Sequence, residues 1–316
     1  MECYFIDLEH IPNLPSTVSC IGFFDGFHKG HQALLKETLR IANQKGLPSA
    51  LITFDPDPWT LFHPERKIEH ITPMEDKKQM AACFGIEYFY ILHFSRELAS
   101  LNCSDFHQLL KSINIKALIC GFDFHYASKN SGNIYTLKDQ NDFDVHVVQA
   151  VEDKNGKISS TRIESYIQNG LVYNANQLLG YAYSLQGIVE HGFHRGTSLL
   201  QVPTANLRLS REYIVPQSGV YVGAVRVNGR IYKAMINVGK NPTFNNQKET
   251  IEAHLLDFKA DLYGKELRIY FYDKIREEMK FNGIDELKTQ LQKDLAKTRS
   301  YPLDLRYLYP QGNDPK

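Results

Sequence analysis

The sequence contains little cysteine, and its few cysteines are not spaced as bridges or ligands. Five occur in 316 residues, all before residue 121, and none stands in a C-x-x-C pair. An odd, scattered set of thiols is typical of a reduced cytosolic protein rather than of a disulfide framework or a zinc site. We therefore expect a cytoplasmic protein with no structural transition metal.

The sequence also lacks an excess of either charge and any long apolar run. Lys plus Arg and Asp plus Glu both number 36, so the formal net charge is zero. Proteins that bind nucleic acid usually carry a basic excess, and a bilayer span needs about 18 or more apolar residues in a row. Residues 1–14 contain no Lys or Arg, unlike a secretory signal. We expect no nucleic-acid partner and no membrane contact, and the oligomeric state stays open.

The hydrophobic pattern changes once along the chain, which is long enough to bury two cores. Up to about residue 183, short β-prone runs alternate with helical stripes, which predicts a Rossmann-like parallel sheet covered by helices. Beyond that point strands follow one another, with Asn228-Gly229 as a hairpin turn signal. The predicted fold class is α/β, with residues 1–183 as the parallel-sheet domain and residues 184–316 as a small β-barrel domain with a terminal helix.

Two predicted helices carry specific signals. Thr72 is followed by Pro73 and then by Glu75, a capping box in which the threonine side chain caps a helix. Near the end of the chain, residues 284–297 are amphipathic and are expected to pack one leucine face against the barrel. The leucines of this face are Leu287, Leu291 and Leu295.

The sharpest chemical signal is the run G-F-F-D-G-F-H-K-G-H at residues 22–31, between a predicted strand and a predicted helix. Backbone N–H groups and the helix dipole favour a phosphate at such a junction. His28 and His31 are spaced to hydrogen-bond phosphates as charge builds during a displacement, although a tight turn with two surface histidines is the alternative. The other predicted nucleotide contacts in the run are Gly22, Phe23, Phe24, Asp25, Gly26 and Gly30.

This run resembles the G-x-F-D-G-x-H-x-G-H signature of nucleotidylyltransferases, and nearly the whole chain resembles the bacterial riboflavin kinase/FAD synthetases. The resemblance implies that the first domain transfers AMP from ATP to FMN, which gives FAD and pyrophosphate. It also implies that the F-D-P-D-P loop binds the flavin through Phe54, Pro56, Asp57 and Pro58. Asp57 stands where the family usually has histidine.

Two further segments resemble nucleotide-binding parts of the family. They are G-F-D-F with Asp123, and S-S-T-R with Ser160, Thr161 and Arg162. Alone, a Ser-Ser-Thr run is more often a helix cap. Glu164 replaces the usual arginine, and like Asp57 it removes positive charge that would favour ATP or FMN.

The second domain resembles the riboflavin kinase of the same family. Its P-T-A-N segment implies that the Thr204 hydroxyl and the Asn206 carbonyl hold Mg²⁺ against ATP. The resemblance makes Glu252 the base that deprotonates riboflavin and places Arg276 at the flavin, whereas the strand pattern alone would favour an outward Glu252 in a salt bridge. Few lysines stand near either motif in the sequence, so Mg²⁺ is expected to neutralise much of the phosphate charge.

The loop at residues 196–202 departs from the family's G-R-x-L-G-F segment, which closes over ATP. The arginine is absent, and Gln201 stands where a glycine belongs, which stiffens the loop and removes a phosphate contact. Two alternatives therefore remain open: an FMN adenylyltransferase with an inactive kinase domain, and a non-catalytic flavin-binding regulator. The complete His28/His31 pair argues against the regulator.

Riboflavin phosphorylation is expected to be slower than FMN adenylylation. A lost charged hydrogen bond is worth roughly 1.5–3 kcal/mol, or about ten- to a hundredfold in rate. Steady-state rates of both reactions, measured on one preparation at saturating ATP, test this expectation, and equal rates would contradict it. A further loss of phosphorylation in Arg195→Ala would show that Arg195 replaces the missing arginine.

Overall fold

The computed structural model describes residues 1–65, 68–190, 204–240 and 249–308. The chain divides into two compact units. The first contains residues 1–68 and 72–159, and the second contains residues 69–71 and 160–309. The loop at residues 196–202, on which the expected weakness of the kinase depends, lies outside the described residues.

The first unit is built on a six-stranded sheet in the order β1-β4-β3-β2-β5-β6, in which all neighbouring strands run parallel. This confirms the predicted parallel-sheet domain. Its elements are β1 (Glu2–Ile6), β2 (Thr17–Ile21), α1 (Lys29–Lys45), β3 (Ser49–Asp55), α2 (Pro58–Phe62), α3 (Met74–Cys83), β4 (Tyr88–His93), α4 (Arg96–Ser100), α5 (Cys103–Ser112), β5 (Ile115–Gly121), α6 (Ile134–Lys138), β6 (Asp144–Val148), β7 (Glu152–Asp153) and β8 (Gly156–Lys157).

The central strands are buried along nearly their whole length. All five residues of β2 are buried, as are the first five of β3, which is typical of a parallel sheet covered on both faces. The chain places β3 on one side of β2 and β5 on the other. Their carboxyl ends therefore lie side by side at the point where the strand order reverses, which is where open α/β sheets bind ligands.

The predicted capping box at Thr72 is wrong. Helix α3 starts at Met74, and its N-cap is Pro73, without a side-chain hydrogen bond. The Thr72 hydroxyl instead accepts the N–H of Gly26 at 3.0 Å, and the Thr72 N–H donates to Asp25 Oδ1 at 2.7 Å. A threonine hydroxyl near a helix start can bond other backbone instead of capping the helix, and here its partner is the turn that follows β2.

The second unit contains a closed antiparallel barrel in the order β10-β13-β12-β11-β14-β9, which confirms the predicted barrel. Asn228 and Gly229 both have positive φ, 48° and 78°, as a type I′ hairpin turn requires. Its elements are α7 (Ser160–Gln168), α8 (Val172–Leu179), β9 (Ser184–Glu190), β10 (Thr204–Leu209), β11 (Gly219–Val227), β12 (Arg230–Lys240), β13 (Glu249–Leu255), β14 (Glu266–Arg276) and α9 (Ile284–Ser300).

The terminal helix α9 is anchored by a buried ion pair more than by its leucines. The predicted leucine face is only half-buried, whereas Asp294 is 1% exposed. The Asp294 carboxylate accepts hydrogen bonds from Arg276 Nε at 2.9 Å and from Gln290 Nε2 at 2.8 Å, and Arg276 Nη2 lies 2.9 Å from it in an ion pair. Arg276 ends β14, so this pair ties α9 to the barrel wall.

Asp294→Ala is expected to destabilise the second unit by about 3 kcal/mol, because removing one partner of a buried pair strands the other charge. Asp257→Ala is the matched control: its pair with Arg299 is exposed, and such pairs contribute about 1 kcal/mol or less. Urea unfolding followed by circular dichroism measures both. Equal losses for the two variants would contradict the assignment.

Candidate functional site

The turn between β2 and α1 adopts a strained backbone conformation. Phe24 and Phe27 have φ of 55° and 39°, a region that residues with side chains rarely occupy. Both rings are completely buried and their centroids lie 5.7 Å apart. Strain of this kind costs about 1–3 kcal/mol per residue, and burial of the two rings offsets it. The turn therefore holds the next residue, His28, in a fixed place.

His28 caps α1 with its side chain. Its Nδ1 accepts the N–H of His31 at 3.3 Å, so the neutral ring carries its proton on Nε2, which is the atom able to donate to a ligand. Burial lowers the pKa of His28 to about 4, so the ring is neutral at neutral pH. A Cβ at Gly30 would lie 3.0 Å from the His28 ring, which explains the glycine at this position.

The two predicted histidines lie together. Their rings stack with centroids 3.7 Å apart and planes inclined by 15°. Burial keeps the pKa of His31 well below its usual value, and the charges of Lys77 and Lys157 lower it further. The buried His31 Nδ1 has no hydrogen-bond partner among the described residues, and such an atom indicates a site that a ligand completes.

Other residues of the run serve the turn itself. Asp25 is 5% exposed, and its carboxylate accepts the Thr72 N–H. The Phe23 carbonyl accepts hydrogen bonds from Lys77 Nζ at 2.7 Å and from Thr53 Oγ1 at 3.2 Å. The sequence analysis missed Lys77, because a lysine in a helix is ordinarily exposed and nothing in its spacing marks it as buried.

The segment after β5 and the strand β8 also reach the histidines. Asp123 forms an ion pair with Lys157, whose Nζ lies 5.0 Å from the centroid of the Phe122 ring. The charges of Asp123 and Lys157 both act on the pKa of His28. The fold brings two lysines that are distant in the sequence, Lys77 and Lys157, to this site.

The predicted flavin loop follows β3 at the same end of the sheet. The Phe54 ring meets Phe94 edge-on at 5.9 Å, and Pro56 is exposed. Asp57 is 8% exposed and caps α2, accepting the Trp59 N–H at 2.8 Å, while Pro58 is the first residue of that helix. Asp57, which replaces the usual histidine, therefore has a capping role here.

The S-S-T-R segment opens a helix of the second unit. Ser160, Thr161 and Arg162 form the first turn of α7, and the Arg162 guanidinium lies 5.7 Å from the centroid of the Tyr166 ring. Their contact with a nucleotide stays a prediction.

Strand register gathers the predicted kinase residues on the barrel. Asn206 of β10 pairs with Glu252 of β13, which pairs with Asn237 of β12, and the row continues through Val220 to Arg276. Directly paired residues point to the same side of a sheet. Alternate positions, such as Ala205, Ala253 and Ile236, are buried apolar residues, so the polar row lies on the outer side of the barrel wall.

Glu252 is half-buried, and burial raises its pKa. Within the described part of the chain its carboxylate has no ion pair or hydrogen bond. The alternative that Glu252 forms a salt bridge therefore has no support from these residues. His254, two residues further along β13, pairs with Thr204 of β10. It is 2% exposed, and neither ring nitrogen has a partner among the described residues.

A parallel-sheet unit with a histidine turn at its switch point, followed by a closed barrel with a Thr/Asn/Glu row, defines a two-domain nucleotide-handling protein. Residues 10–162 match the family model for FAD synthetase, and residues 179–302 match the model for riboflavin kinase. A bifunctional riboflavin kinase/FMN adenylyltransferase of Listeria monocytogenes is 39% identical over 90% of this chain and 92% of its own. The chain belongs to the bifunctional riboflavin kinase/FMN adenylyltransferase family.

Other relatives agree with this membership. The protein of the same description from Bacillus subtilis is 38% identical over 92% of this chain and 94% of its own. A crystal structure described as a macrolide-efflux protein from Streptococcus pneumoniae superposes with a TM-score of 0.87 at 35% identity, covering 94% of this chain and 99% of that one. Its description denotes transport, whereas both family models and the curated relatives denote flavin chemistry. None of the described helices is both long enough and apolar enough for a bilayer span.

The first unit is expected to lose stability through His28 as the pH falls from about 6.5 to about 4. The unfolded residue takes up a proton near pH 6.5 and the folded one only near pH 4, so the stabilisation is present above pH 6.5 and is lost below it. At the acid end the loss is on the order of 3 kcal/mol.

His28→Gln should therefore show a shallower fall of its unfolding free energy with acid than the wild-type protein. Urea unfolding followed by circular dichroism at each pH measures this free energy. His10→Gln, at a side chain 83% exposed, is the control and should follow the wild type. An unchanged slope in His28→Gln would mean that this ring does not titrate as described.

Proposed function

We propose that the first unit transfers AMP from ATP to FMN, which gives FAD and pyrophosphate. The second unit phosphorylates riboflavin with ATP, which gives FMN and ADP. The observation that carries the first activity is the neutral, stacked His28/His31 pair at the start of α1, with a buried ring nitrogen that awaits a partner. Family membership supports both activities.

In adenylyl transfer, a phosphate oxygen of FMN attacks the α-phosphorus of ATP, and the bond to the departing pyrophosphate breaks. His28 Nε2–H donates to the phosphate oxygens on which negative charge increases, and His31 adds a second contact beside it. A neutral imidazole suits this role, because its ring N–H can donate a hydrogen bond to a phosphate oxygen without giving up the proton. The loop around Asp57 holds the flavin, and Asp123 contacts the nucleotide.

In the kinase reaction, Glu252 accepts the proton of the ribityl hydroxyl as that oxygen attacks the γ-phosphorus of ATP. Its raised pKa makes it a stronger base. Mg²⁺ fits the neighbouring oxygen donors of Thr204 and Asn206, because it prefers hard oxygens and completes its shell with phosphates. When bound, it neutralises phosphate charge. Among the described residues no cluster of three or more His, Cys, Asp or Glu side chains suits a metal ion.

The partners of this protein are small molecules: ATP, FMN and riboflavin, with FAD as product. We place the enzyme in the cytoplasm, which the small number and scattered spacing of its cysteines support. The departures at residues 196–202 favour the second candidate, an FMN adenylyltransferase with a weakened or inactive kinase domain.

Reciprocal variants test the two assignments on one protein. His31→Ala should lower FMN adenylylation by about a hundredfold or more, the usual scale for one transition-state donor, and leave riboflavin phosphorylation unchanged. Glu252→Gln should do the reverse, because the amide cannot accept the proton. Separation of flavins after incubation with ATP, Mg²⁺ and either flavin measures both. Wild-type FAD formation by His31→Ala would refute the role of the turn.

A further inference from the structure

A lysine is buried where a hydrophobic residue would be less costly. Lys77 lies on α3 and is 2% exposed. Burying an ammonium group costs several kcal/mol unless it is paired. Its Nζ donates a hydrogen bond to the Phe23 carbonyl, and the nearby carboxylates of Asp25, Asp57 and Asp55 do not fully offset the cost of its burial. A charge retained under these conditions requires an explanation.

The contacts of Lys77 point to the histidine turn. Its Nζ lies 2.7 Å from the Phe23 carbonyl oxygen and 3.5 Å from the centroid of the Phe23 ring. The carbonyl bond fixes the second residue of the run, and the ring face attracts the cation. Thr72 binds Asp25 and Gly26. Together with Lys77 it holds the turn at three residues.

The charge of Lys77 is felt at the histidines. It helps to hold the pKa of His31 below its ordinary value, so the ammonium acts on the ring that we assign to the phosphates. The charged and titratable groups that face Lys77 are the carboxylates of Asp25, Asp55 and Asp57 and the ring of His31. A buried cation is screened less than an exposed one, and it attracts the negative charge that increases in adenylyl transfer.

We propose that Lys77 is a positioning residue for adenylyl transfer, which fixes the histidine turn through the Phe23 carbonyl and supplies an unscreened positive charge beside His31. This inference rests on the adenylyl transfer proposed above. Through Lys77, helix α3 contributes to the site, although none of the site residues predicted from the sequence lies on this helix.

Lys77→Met keeps most of the side-chain volume and removes both the hydrogen bond and the charge. The kcat of FMN adenylylation should fall at least about tenfold, with a smaller change in the KM for ATP, because the lost interaction acts chiefly in the transition state. Riboflavin phosphorylation by the same preparation should be unchanged. Lys78→Met is the matched control: Lys78 pairs with Glu75 on the surface of the same helix, and its loss should leave both rates as they are.

The dependence of the adenylylation rate on pH distinguishes an effect of the Lys77 charge from an effect of its packing. Burial lowers the pKa of Lys77 to about 8, so wild-type adenylylation should decline above about that pH as the ammonium loses its proton. Lys77→Arg should regain part of the rate lost in Lys77→Met, and its alkaline decline should disappear because a guanidinium stays charged.

Each outcome of these measurements supports or contradicts the proposed role of Lys77. Wild-type kcat in Lys77→Met, or an alkaline decline that persists in Lys77→Arg, would overturn the inference. Loss of both activities together with a lower unfolding temperature would show a purely structural lysine and would overturn it as well. If Lys77→Met does not fold, the profile of Lys77→Arg still decides. Absence of FAD formation by the wild-type protein would instead remove the proposed function, and this inference with it.

Discussion

The candidate site of the first unit depends on the burial of two phenylalanine rings in a backbone conformation that they disfavour. Phe24 and Phe27 turn the chain sharply after β2, and their packing in the core offsets the backbone strain. The sharp turn brings His28 to the N-cap of α1, where one ring nitrogen bonds the helix and the other is left for a ligand. Hydrogen bonds from Thr53, Thr72 and neighbouring groups then fix the turn from outside.

In the second unit the corresponding constraint is strand register. A closed barrel permits no slip of one strand without displacing all the others, so the pairing of Asn206 with Glu252 is as fixed as the barrel itself. At the other end of the row, Arg276 is committed to Asp294. The row therefore ends in a contact with α9, because Arg276 of β14 pairs with Asp294 of the helix.

Much of the architecture could be predicted because it follows from local patterns. Alternation of strands and helices predicted the parallel sheet, and Asn228-Gly229 predicted a hairpin that the structure confirms. Features set by tertiary contacts could not be read in this way. The hydroxyl of Thr72 had a plausible local partner but bonds a distant turn, and the spacing of the leucines in α9 concealed that Asp294 is its buried anchor.

The same limit applies to the site. The histidine run was visible because all its parts are consecutive in the chain. Lys77, Lys157 and His254 come from other segments, and their burial depends on what the fold packs against them. Nothing in a helix or strand pattern distinguishes such residues from their exposed neighbours.

The position of the kinase row on the outer side of the barrel wall also affects how this enzyme can diverge. Its apolar interior, with Ala205, Ala253 and Ile236, closes without any help from Asn206 or Glu252. Replacing Asn206 or Glu252 opens no cavity in that interior, so selection can change the chemistry at these two positions while the packing of the barrel is preserved. The barrel is thus a durable frame on which one reaction can weaken, or another arise, without unfolding the protein that carries it.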